Sequence, residues 1–442
     1  MKNYDKDKNS GVEWLDKIPN LWKTIPFKRL FSFGRGLSIT KADLVEDGLP
    51  VISYGQIHSK KNTGTRIEEH LLRYVPESYA KGNENSLLKQ GDFIFADTSE
   101  DIEGCGNCVY MDKEMVLYAG YHTIIAKARQ SDHSKYLAYL FKTDCWRSQI
   151  RSSVNGVKVF SITQNALYET SVLLPPIEEQ RIITNYLDNK VNQIDAIIAE
   201  KEAMVEDLQS YRKSIITETV TRGLNPDVPK KDSGIDWMGM IPEHWIIAKT
   251  SYLFEEIGSG TTPNTNNEKY YVENGINWLQ TGDLNDGYID KTTKHISSKA
   301  LAENSALRIY PKGSLVIAMY GATIGKVGIL NIESTTNQAC CVLANSKSII
   351  GKYAYYVFIA SKQSLVNLAF GGGQPNISQS IIRNHKLPVP SLEEQQAIVA
   401  HLDSKMQGLD FSISELQSQI EDLKLYKASI ITEAVTGKID LR

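Results

Sequence analysis

The sequence predicts an α+β fold in which two globular α/β domains are separated by two long antiparallel coiled-coil helices, related by an internal pseudo-twofold repeat. Three observations lead to this prediction: a segment that occurs twice, apolar residues at coiled-coil spacing within that segment, and mixed strand and helix signals outside it. The chain has 442 residues, which is longer than one ordinary core supports. We therefore expect several domains.

The repeated segment is recognisable by eye. "IEEQRIITNYLDNK" begins at Ile177, and "LEEQQAIVAHLDSK" begins 215 residues later at Leu392. The similarity covers residues 175–221 without a gap, with 22 identities in 47 aligned pairs. Upstream, "SGVEWLDKIPNLW" from Ser10 is echoed by "SGIDWMGMIPEHW" from Ser233. The whole chain is therefore a tandem duplication.

Each repeat consists of a short arm, a variable domain and a constant segment. The two copies span about 10–222 and 233–436. We predict an N-terminal arm with the first variable domain, a central constant helix, a second variable domain and a C-terminal constant helix, at 1–175, 176–232, 233–390 and 391–442.

The constant segments have the apolar pattern of coiled-coil helices, because spacings of four and three residues alternate along each of them. In the first, the seam is Leu187, Val191, Ile194, Ile198, Lys201, Val205, Leu208, Arg212 and Ile215. In the second, it is Leu402, Met406, Leu409, Ile413, Leu416, Ile420, Leu423, Lys427 and Ile430. The most natural partner of each helix is the other one.

The ends of both helices are also marked. Two consecutive prolines lead into the first helix, and Ser391 with Glu394 is expected to form a capping box for the second. Gly223 and Gly437 follow the last turns. Each helix should span about 45 residues, or roughly 65–70 Å.

The variable domains contain both strand and helix signals. Helices are predicted for "SKYLAYLFKTDCWRSQI" and "GKYAYYVFIASKQSLVNLAF". Strands are predicted for the β-branched or alternating runs "LPVIS", "DFIFA", "HTIIAKA", "NWLQ", "SLVIAM" and "QACCVLA". Each domain should be an α+β domain with a twisted sheet, and binding is expected in its irregular loops.

Composition excludes several classes of protein. No run of eighteen uncharged apolar residues occurs, and the first residues have no apolar signal segment, so we expect a cytoplasmic protein. Five unevenly spaced cysteines argue against a disulfide framework. Cys105 and Cys108 form a C-x-x-C, but no second ligand pair accompanies it, and we predict no metal site.

Two segments resemble catalytic or nucleotide-binding motifs but lack residues that those motifs require. "GATIGKV" has three residues between its glycines where a phosphate loop needs four, and Val327 stands where Ser or Thr is required. "FGGGQPN" lacks the strand and downstream acid of a dinucleotide site. A recognition or scaffold subunit is expected rather than an enzyme, although dispersed catalytic residues would leave no motif.

Charge is distributed unevenly along the chain. Residues 176–222 carry a net charge of −3 and residues 391–436 a net charge of −5, so the rest of the chain sums to +5. The helices should therefore avoid a phosphate backbone, and the variable domains carry the positive balance.

The doubled constant segment carries a family resemblance. "LPPIEEQRIITNYLD" and "LPVPSLEEQQAIVAHLD" each end a variable domain and open a helix, and "SIITEAVTGKIDLR" ends the chain. Together with "GIDWMGMIPEHW", these segments strongly resemble the specificity subunit of type I restriction–modification systems. The resemblance covers the chain from about Ser10 to Arg442.

The resemblance implies the following function. Two target-recognition domains each read half of a bipartite double-stranded DNA target, and the paired helices set the gap. The chain itself binds no cofactor; two modification subunits dock on it, carry S-adenosylmethionine and methylate adenine N6, and restriction subunits join them. The outward helical faces and the "LEEQ" ends are the expected docking sites.

Base and phosphate contacts require amide, cationic and hydroxyl side chains on loops. In the first domain the candidates are Gln56, His58, Lys60, Lys61, Tyr121, His122 and Lys158. In the second they are Thr261, Thr262, Gln280, Asp283, Tyr320, Lys326, Gln374 and Asn376.

Two other classes of function stay open at this point. The chain could be a coiled-coil interaction scaffold without DNA specificity, which sequence-specific and salt-dependent DNA binding would exclude. It could also be a self-contained methyltransferase with dispersed catalytic residues, in which case the purified chain alone would methylate DNA.

Overall fold

The computed structural model describes Tyr4 and residues 7–154, 156, 158–346, 348–369 and 376–442. The chain divides into two units: the first is Met1–Lys201 with Ser418–Arg442, and the second is Glu202–Gln417. Each unit therefore contains part of both constant segments.

The first unit is built on a four-stranded antiparallel sheet of order β4-β11-β7-β9 and a three-stranded sheet of order β10-β5-β6, in which β10 and β5 are parallel. Its strands are β1 (Asp7–Val12), β2 (Leu15–Pro19), β3 (Lys23–Pro26), β4 (Phe31–Arg35), β5 (Leu49–Ile52), β6 (Arg73–Val75), β7 (Phe93–Ala96), β8 (Thr98–Ser99), β9 (Cys108–Tyr110), β10 (Tyr118–Ala119), β11 (Thr123–Ala128), β12 (Phe160–Ser161) and β13 (Ser171–Leu174). Its short helices are α1 (Phe27–Leu30), α2 (Tyr54–Ile57), α3 (Ser134–Leu140), α4 (Asp144–Arg151) and α5 (Gln164–Tyr168).

The long helix α6 (Ile177–Arg222) follows, and the second unit then repeats the arrangement of the first. A five-stranded sheet of order β17-β25-β22-β23-β20 lies beside a four-stranded one of order β18-β21-β19-β24, in which β19 and β24 are parallel. The strands are β14 (Lys230–Asp232), β15 (Met240–Pro242), β16 (Ile246–Lys249), β17 (Phe254–Gly258), β18 (Tyr271–Val272), β19 (Ile276–Leu279), β20 (Tyr288–Ile289), β21 (His295–Ile296), β22 (Leu315–Ala318), β23 (Val327–Leu330), β24 (Thr335–Thr336), β25 (Cys340–Ser346) and β26 (Lys386–Val389). The helices are α7 (Thr250–Leu253), α8 (Ser298–Glu303), α9 (Gly351–Asn367), α10 (Gln379–Asn384) and α11 (Leu392–Val435).

All six predicted strands are confirmed, and so is the helix at 351. The stretch from Ser134 to Ile150, predicted as helix throughout, is instead two helices. The Thr143 hydroxyl accepts from the backbone N–H of Trp146 and so caps α4. The break also buries Phe141 against Trp146, with ring centroids 4.2 Å apart.

The long helices have the predicted length and ends. They span 46 and 44 residues. Ser391 and Glu394 form the capping box, with the Ser391 hydroxyl donating to the carboxylate at 3.0 Å. Both closing glycines, Gly223 and Gly437, adopt φ +72, a left-handed conformation that favours glycine.

The predicted seam is confirmed, since every one of its positions in both helices is buried or half-buried. Within the first unit, Lys201 Nζ donates to Gln419 Oε1 at 2.7 Å and Lys427 Nζ to Asp195 Oδ1 at 2.5 Å. Residue numbers thus increase along one helix where they decrease along the other, so the pairing is antiparallel. In the second unit, Arg212 pairs with Asp410 at 3.2 Å.

In each unit, a lysine and a tyrosine of the variable domain bind an aspartate of a constant helix. The Asp188 carboxylate accepts from Tyr139 at 2.8 Å and from Lys135. In the second unit, Asp403 accepts from Tyr356 at 2.6 Å and from Lys352 at 2.7 Å.

The signal for these contacts is the pair "SKYLAY" and "GKYAYY", in which a lysine and a tyrosine lie four residues apart on one helical face. Neither residue of this pair was among the functional residues predicted from the sequence. The pair ties α3 and α9 to the constant helices and so positions the loops of each domain.

A buried histidine in the second unit makes stability depend on pH. The His385 ring stacks against Trp237 and Phe358, and Nε2 lies 2.9 Å from Ser361 Oγ. Burial lowers the pKa of His385 from 6.5 to about 4, because desolvation disfavours the imidazolium.

We expect the contribution of His385 to the free energy of unfolding to be fully present above about pH 6.5. It should be lost as the pH drops toward 4, because the imidazole of the unfolded chain is protonated at a higher pH than that of the folded chain. The loss from this group between pH 7.5 and 5 should be about 2 kcal/mol. Urea unfolding at the two pH values should show that much less pH dependence for His385→Asn than for the natural chain. The exposed His401→Gln serves as control, and an unchanged pH dependence of His385→Asn would refute the assignment.

Among the described residues, no helix combines the length and apolarity needed to cross a membrane.

Candidate nucleic-acid interface

Polar loops leave one edge of the main sheet in each unit. In the first unit, β4 and β7 end where β11 begins, since Arg35 pairs with Ile124 and Ala96 with Thr123. We call the loops at this edge the first rim: residues 36–39, 53–62, 97–107, 120–122 and 158–165. The second rim comprises residues 259–263, 280–286, 319–326, 337–339 and 376–378.

The two rims share one backbone frame. Asp97 N–H donates to the carbonyl of His122 at 3.2 Å, and Met319 N–H donates to that of Ala339 at 2.8 Å. The chain returns to the same point in both units, because Ile162 N–H donates to Asp97 O at 2.7 Å and the matching amide at 377 donates to Met319 O at 2.8 Å. The frame is thus constant while its side chains differ.

A cleft of about 900 Å³ opens in the first rim, and three predicted residues, His58, Lys60 and His122, line it. The His58 ring is held on both sides: Nε2 donates to Thr98 O at 2.8 Å, and Nδ1 accepts from the Asn107 amide at 3.1 Å. His58 therefore supports the cleft wall.

His122 is the most unusual residue of this rim. Its φ is +55, a left-handed conformation that is costly for a side chain of this size and concentrates at functional sites. Nδ1 lies 3.2 Å from Asp97 Oδ1, and the side chain is 56% exposed. Its ring packs edge-on to Tyr54 and Tyr121, with centroids 5.4 and 5.9 Å away.

The remaining candidates of the first rim differ in how available they are. Lys60, Lys61 and Lys158 are exposed. The side-chain oxygen Oε1 of Gln56 accepts from Ser53 N–H at 3.1 Å and so caps α2. The same rim also carries carboxylates, namely Glu100, Asp101 and Glu103 on the cleft wall. It therefore offers cations for phosphates and both donors and acceptors for base edges.

The second rim is richer in amides and hydroxyls. The Thr261 carbonyl accepts from the Trp278 indole at 3.1 Å, and Thr262 Oγ1 donates to Gln338 Oε1 at 2.7 Å. Asp283 accepts from the backbone N–H of Gln280 at 2.8 Å. The carboxylate of Asp283 also accepts from the Thr293 hydroxyl at 2.8 Å, so it already supports this loop.

The other candidates of the second unit lie close to this loop. Tyr320 is 43% exposed and forms a β-bridge with Asn376. Lys326 Nζ donates to Leu284 O at 3.3 Å. Gln374, with most of "FGGGQPN", lies outside the described residues.

Two residues of these rims, Tyr54 and Gln338, were not among the candidates predicted from the sequence. Tyr54 packs edge-on against three candidates of the first rim, His58, Tyr121 and His122. Gln338 occupies the position that corresponds to Tyr121, because the flanking residues Gly120 and Asn337 each donate to the end of a neighbouring strand, at 2.7 and 3.0 Å. Aligning the turns that follow the short parallel strands would have found Gln338.

The described residues form neither a metal-binding cluster nor a disulfide. Within the described ranges, no group of three or more His, Cys, Asp or Glu side chains is placed to hold a metal ion. All five cysteines fall in those ranges and carry free thiols. Burial raises the pKa of Cys108 to about 12, which keeps it protonated and unreactive.

Comparison with known proteins identifies a single family. The family model described as the type I restriction modification DNA specificity domain matches residues 19–207 and 242–422. The chain is 23% identical to the type I restriction enzyme EcoBI specificity subunit of Escherichia coli, over 97% of this chain and 88% of the relative. It is 22% identical to the putative type I restriction enzyme MjaX specificity subunit of Methanocaldococcus jannaschii, over 100% and 99%.

A solved structure shares the fold. It comes from work on complex assembly and conformational transition of the type I R-M system, and it matches with a TM-score of 0.70 at 18% identity. The match covers 96% of this chain and 99% of the other.

Proposed function

Because this chain belongs to the type I restriction modification DNA specificity family, we propose that each of its two rims reads one half of a bipartite DNA sequence. The observation that carries the proposal is the repeated frame: the same backbone contacts, at Asp97 and Met319, support loops with different side chains. A duplicated reader with divergent loops is suited to a target with two different half-sites.

The chemistry of the rims supports DNA as the ligand. Lys60, Lys61 and Lys158 are exposed and suited to phosphate contacts. Amides, hydroxyls and carboxylates in the same loops can distinguish base edges in the major groove. The acidic long helices carry little attraction for phosphate, so we propose that they act as the spacer that sets the gap between half-sites.

Catalysis is assigned to partner subunits. We propose that two modification subunits dock on the chain and methylate adenine N6 with S-adenosylmethionine, and that restriction subunits join the assembly. The chain itself would bind no cofactor and act in the cytoplasm. Exposed apolar side chains on the helices suit such docking: Tyr211 is 56% exposed, Tyr426 is 54% exposed and Leu392, in the "LEEQ" end, is 54% exposed.

The test is to express the chain with its cognate modification subunit and to map N6-methyladenine across a plasmid by single-molecule sequencing. We expect one bipartite motif with a fixed gap and one methylated adenine on a strand of each half-site. A stable complex that methylates nothing would favour the interaction scaffold. Methylation by the purified chain alone would favour a self-contained methyltransferase.

A further inference from the structure

The turn at residues 337–339 presents one exposed amide on a rigid support. Asn337 N–H donates to Leu279 O at 3.0 Å, and the Asn337 side chain accepts from Ala339 N–H at 3.1 Å. Cys340, the next residue, is fully buried in β25. The backbone around Gln338 is therefore held on both sides, while its side chain is exposed.

The hydroxyl that contacts this amide is equally well held. Gly260 N–H donates to Thr336 Oγ1 at 3.0 Å, Thr261 O accepts from Trp278 at 3.1 Å, and the carbonyl of the next proline accepts from Tyr271 at 2.7 Å. Three anchors within four residues thus place Thr262. Its Oγ1 donates to Gln338 Oε1 at 2.7 Å.

This contact orients the amide for a particular base. A carbonyl oxygen has two lone pairs, so Gln338 Oε1 can accept a second proton while Thr262 holds the first. The amide then offers one acceptor and an adjacent N–H donor in a plane. In the major groove adenine presents the complementary pair, the N6 donor and the N7 acceptor.

We propose that Gln338, oriented by Thr262, is a specificity-determining residue that reads an adenine in the half-site bound by the second unit. The inference rests on the proposed function and deepens it. Thr262 is a positioning residue, because it acts on the base through Gln338. An amide fixed in advance loses less side-chain freedom on binding than a mobile one, which favours correct over incorrect bases.

The experiment uses the complex with the modification subunit and a plasmid library that is randomised in the second half-site. For Gln338→Ala we expect the preference for adenine at one position to fall on the order of 5- to 150-fold, with the first half-site unchanged. Thr262→Val should show a smaller loss at the same position, and Thr262→Ser, which keeps the hydroxyl, should restore the preference.

Gln338→Glu supplies a gain of function in case the alanine variant is inactive. A carboxylate accepts but does not donate, so the preferred base at that position should change toward cytosine, whose N4 is a donor. The control is Gln363→Ala, an exposed glutamine of the same unit that bonds Asn367 on α9 at 2.9 Å. It should leave the motif unchanged.

Two outcomes overturn the inference and are distinguishable. A natural complex that reads a bipartite motif, combined with Gln338 variants that read the same motif, refutes the role of Gln338 and leaves the proposed function in place. A natural complex without any bipartite motif removes the proposed function and this inference with it.

Discussion

Replacing Trp22 with alanine is expected to lower the free energy of unfolding of the first unit by about 3–5 kcal/mol. The side chain is fully buried, and its indole N–H donates to Glu179 Oε1 at 3.0 Å. Trp22 also packs on Gly437, where an added Cβ would lie 3.4 Å from the ring. One side chain thus joins the arm to the start of α6 and to the end of α11.

The repeat supplies a matched variant in the second unit. Trp245 donates to Glu394 Oε1 at 3.2 Å and lies 3.1 Å from the position of a Cβ on Gly223. Trp245→Ala should therefore destabilise the second unit by a similar amount. The two residues have the same role because their arms and helices are copies of each other.

Hydrogen exchange with denaturant titration provides the measurement. Trp22→Ala should raise exchange mainly within residues 1–201 and 418–442, and Trp245→Ala mainly within 202–417. Leu21→Ala is the control, since Leu21 is 64% exposed beside Trp22. Equal loss of protection in both units from either tryptophan variant would contradict the assignment.

Gly260→Ala is expected to damage the second rim selectively. An added Cβ would lie 1.8 Å from the Thr336 carbonyl oxygen, so two backbone segments would have to separate. The cost should be about 1–3 kcal/mol or more, and the loop that carries Thr262 would move. Gly36 has the same constraint in the first rim, 1.8 Å from Gly120 O.

The measurement combines thermal unfolding with methylation mapping. Gly260→Ala should lower Tm and abolish reading of the second half-site, and Gly36→Ala should do the same for the first. Gly282→Ala is the control for stability, because a Cβ there meets nothing within 4 Å and Gly282 lies in another loop of the same rim. Normal stability of Gly260→Ala would show that the rim can rearrange without cost and would contradict the expected clash with Thr336.

Local patterns predicted the elements but not every boundary. Apolar spacing located both long helices and their seams, and β-branched runs located the six strands. The interruption between α3 and α4 was missed because it depends on Phe141, which is drawn into an aromatic core by Trp146, Phe93 and Phe95 at centroid distances of 4.2–5.7 Å. Periodicity does not report such a contact.

The residues of the candidate site were likewise predicted only in part. Loop position and side-chain chemistry led to His122 and Thr262, which lie on the rims. The same reasoning did not reveal that Asp283 supports its own loop, or that Gln338 is a partner of Thr262 from 76 residues away. Which of these side chains touch bases stays a prediction.

The duplication, the family resemblance, the two long helices and the α+β character of each domain were all predictable from the amino-acid sequence, because these features reside in local spacing and in similarity between segments. The folded chain was needed to show which loops share an edge, which polar groups already have hydrogen-bond partners and which side chains join each domain to a long helix. Asp188, for example, meets Tyr139 across 49 residues. Such contacts depend on chain packing and hydrogen-bond geometry, which no local pattern encodes.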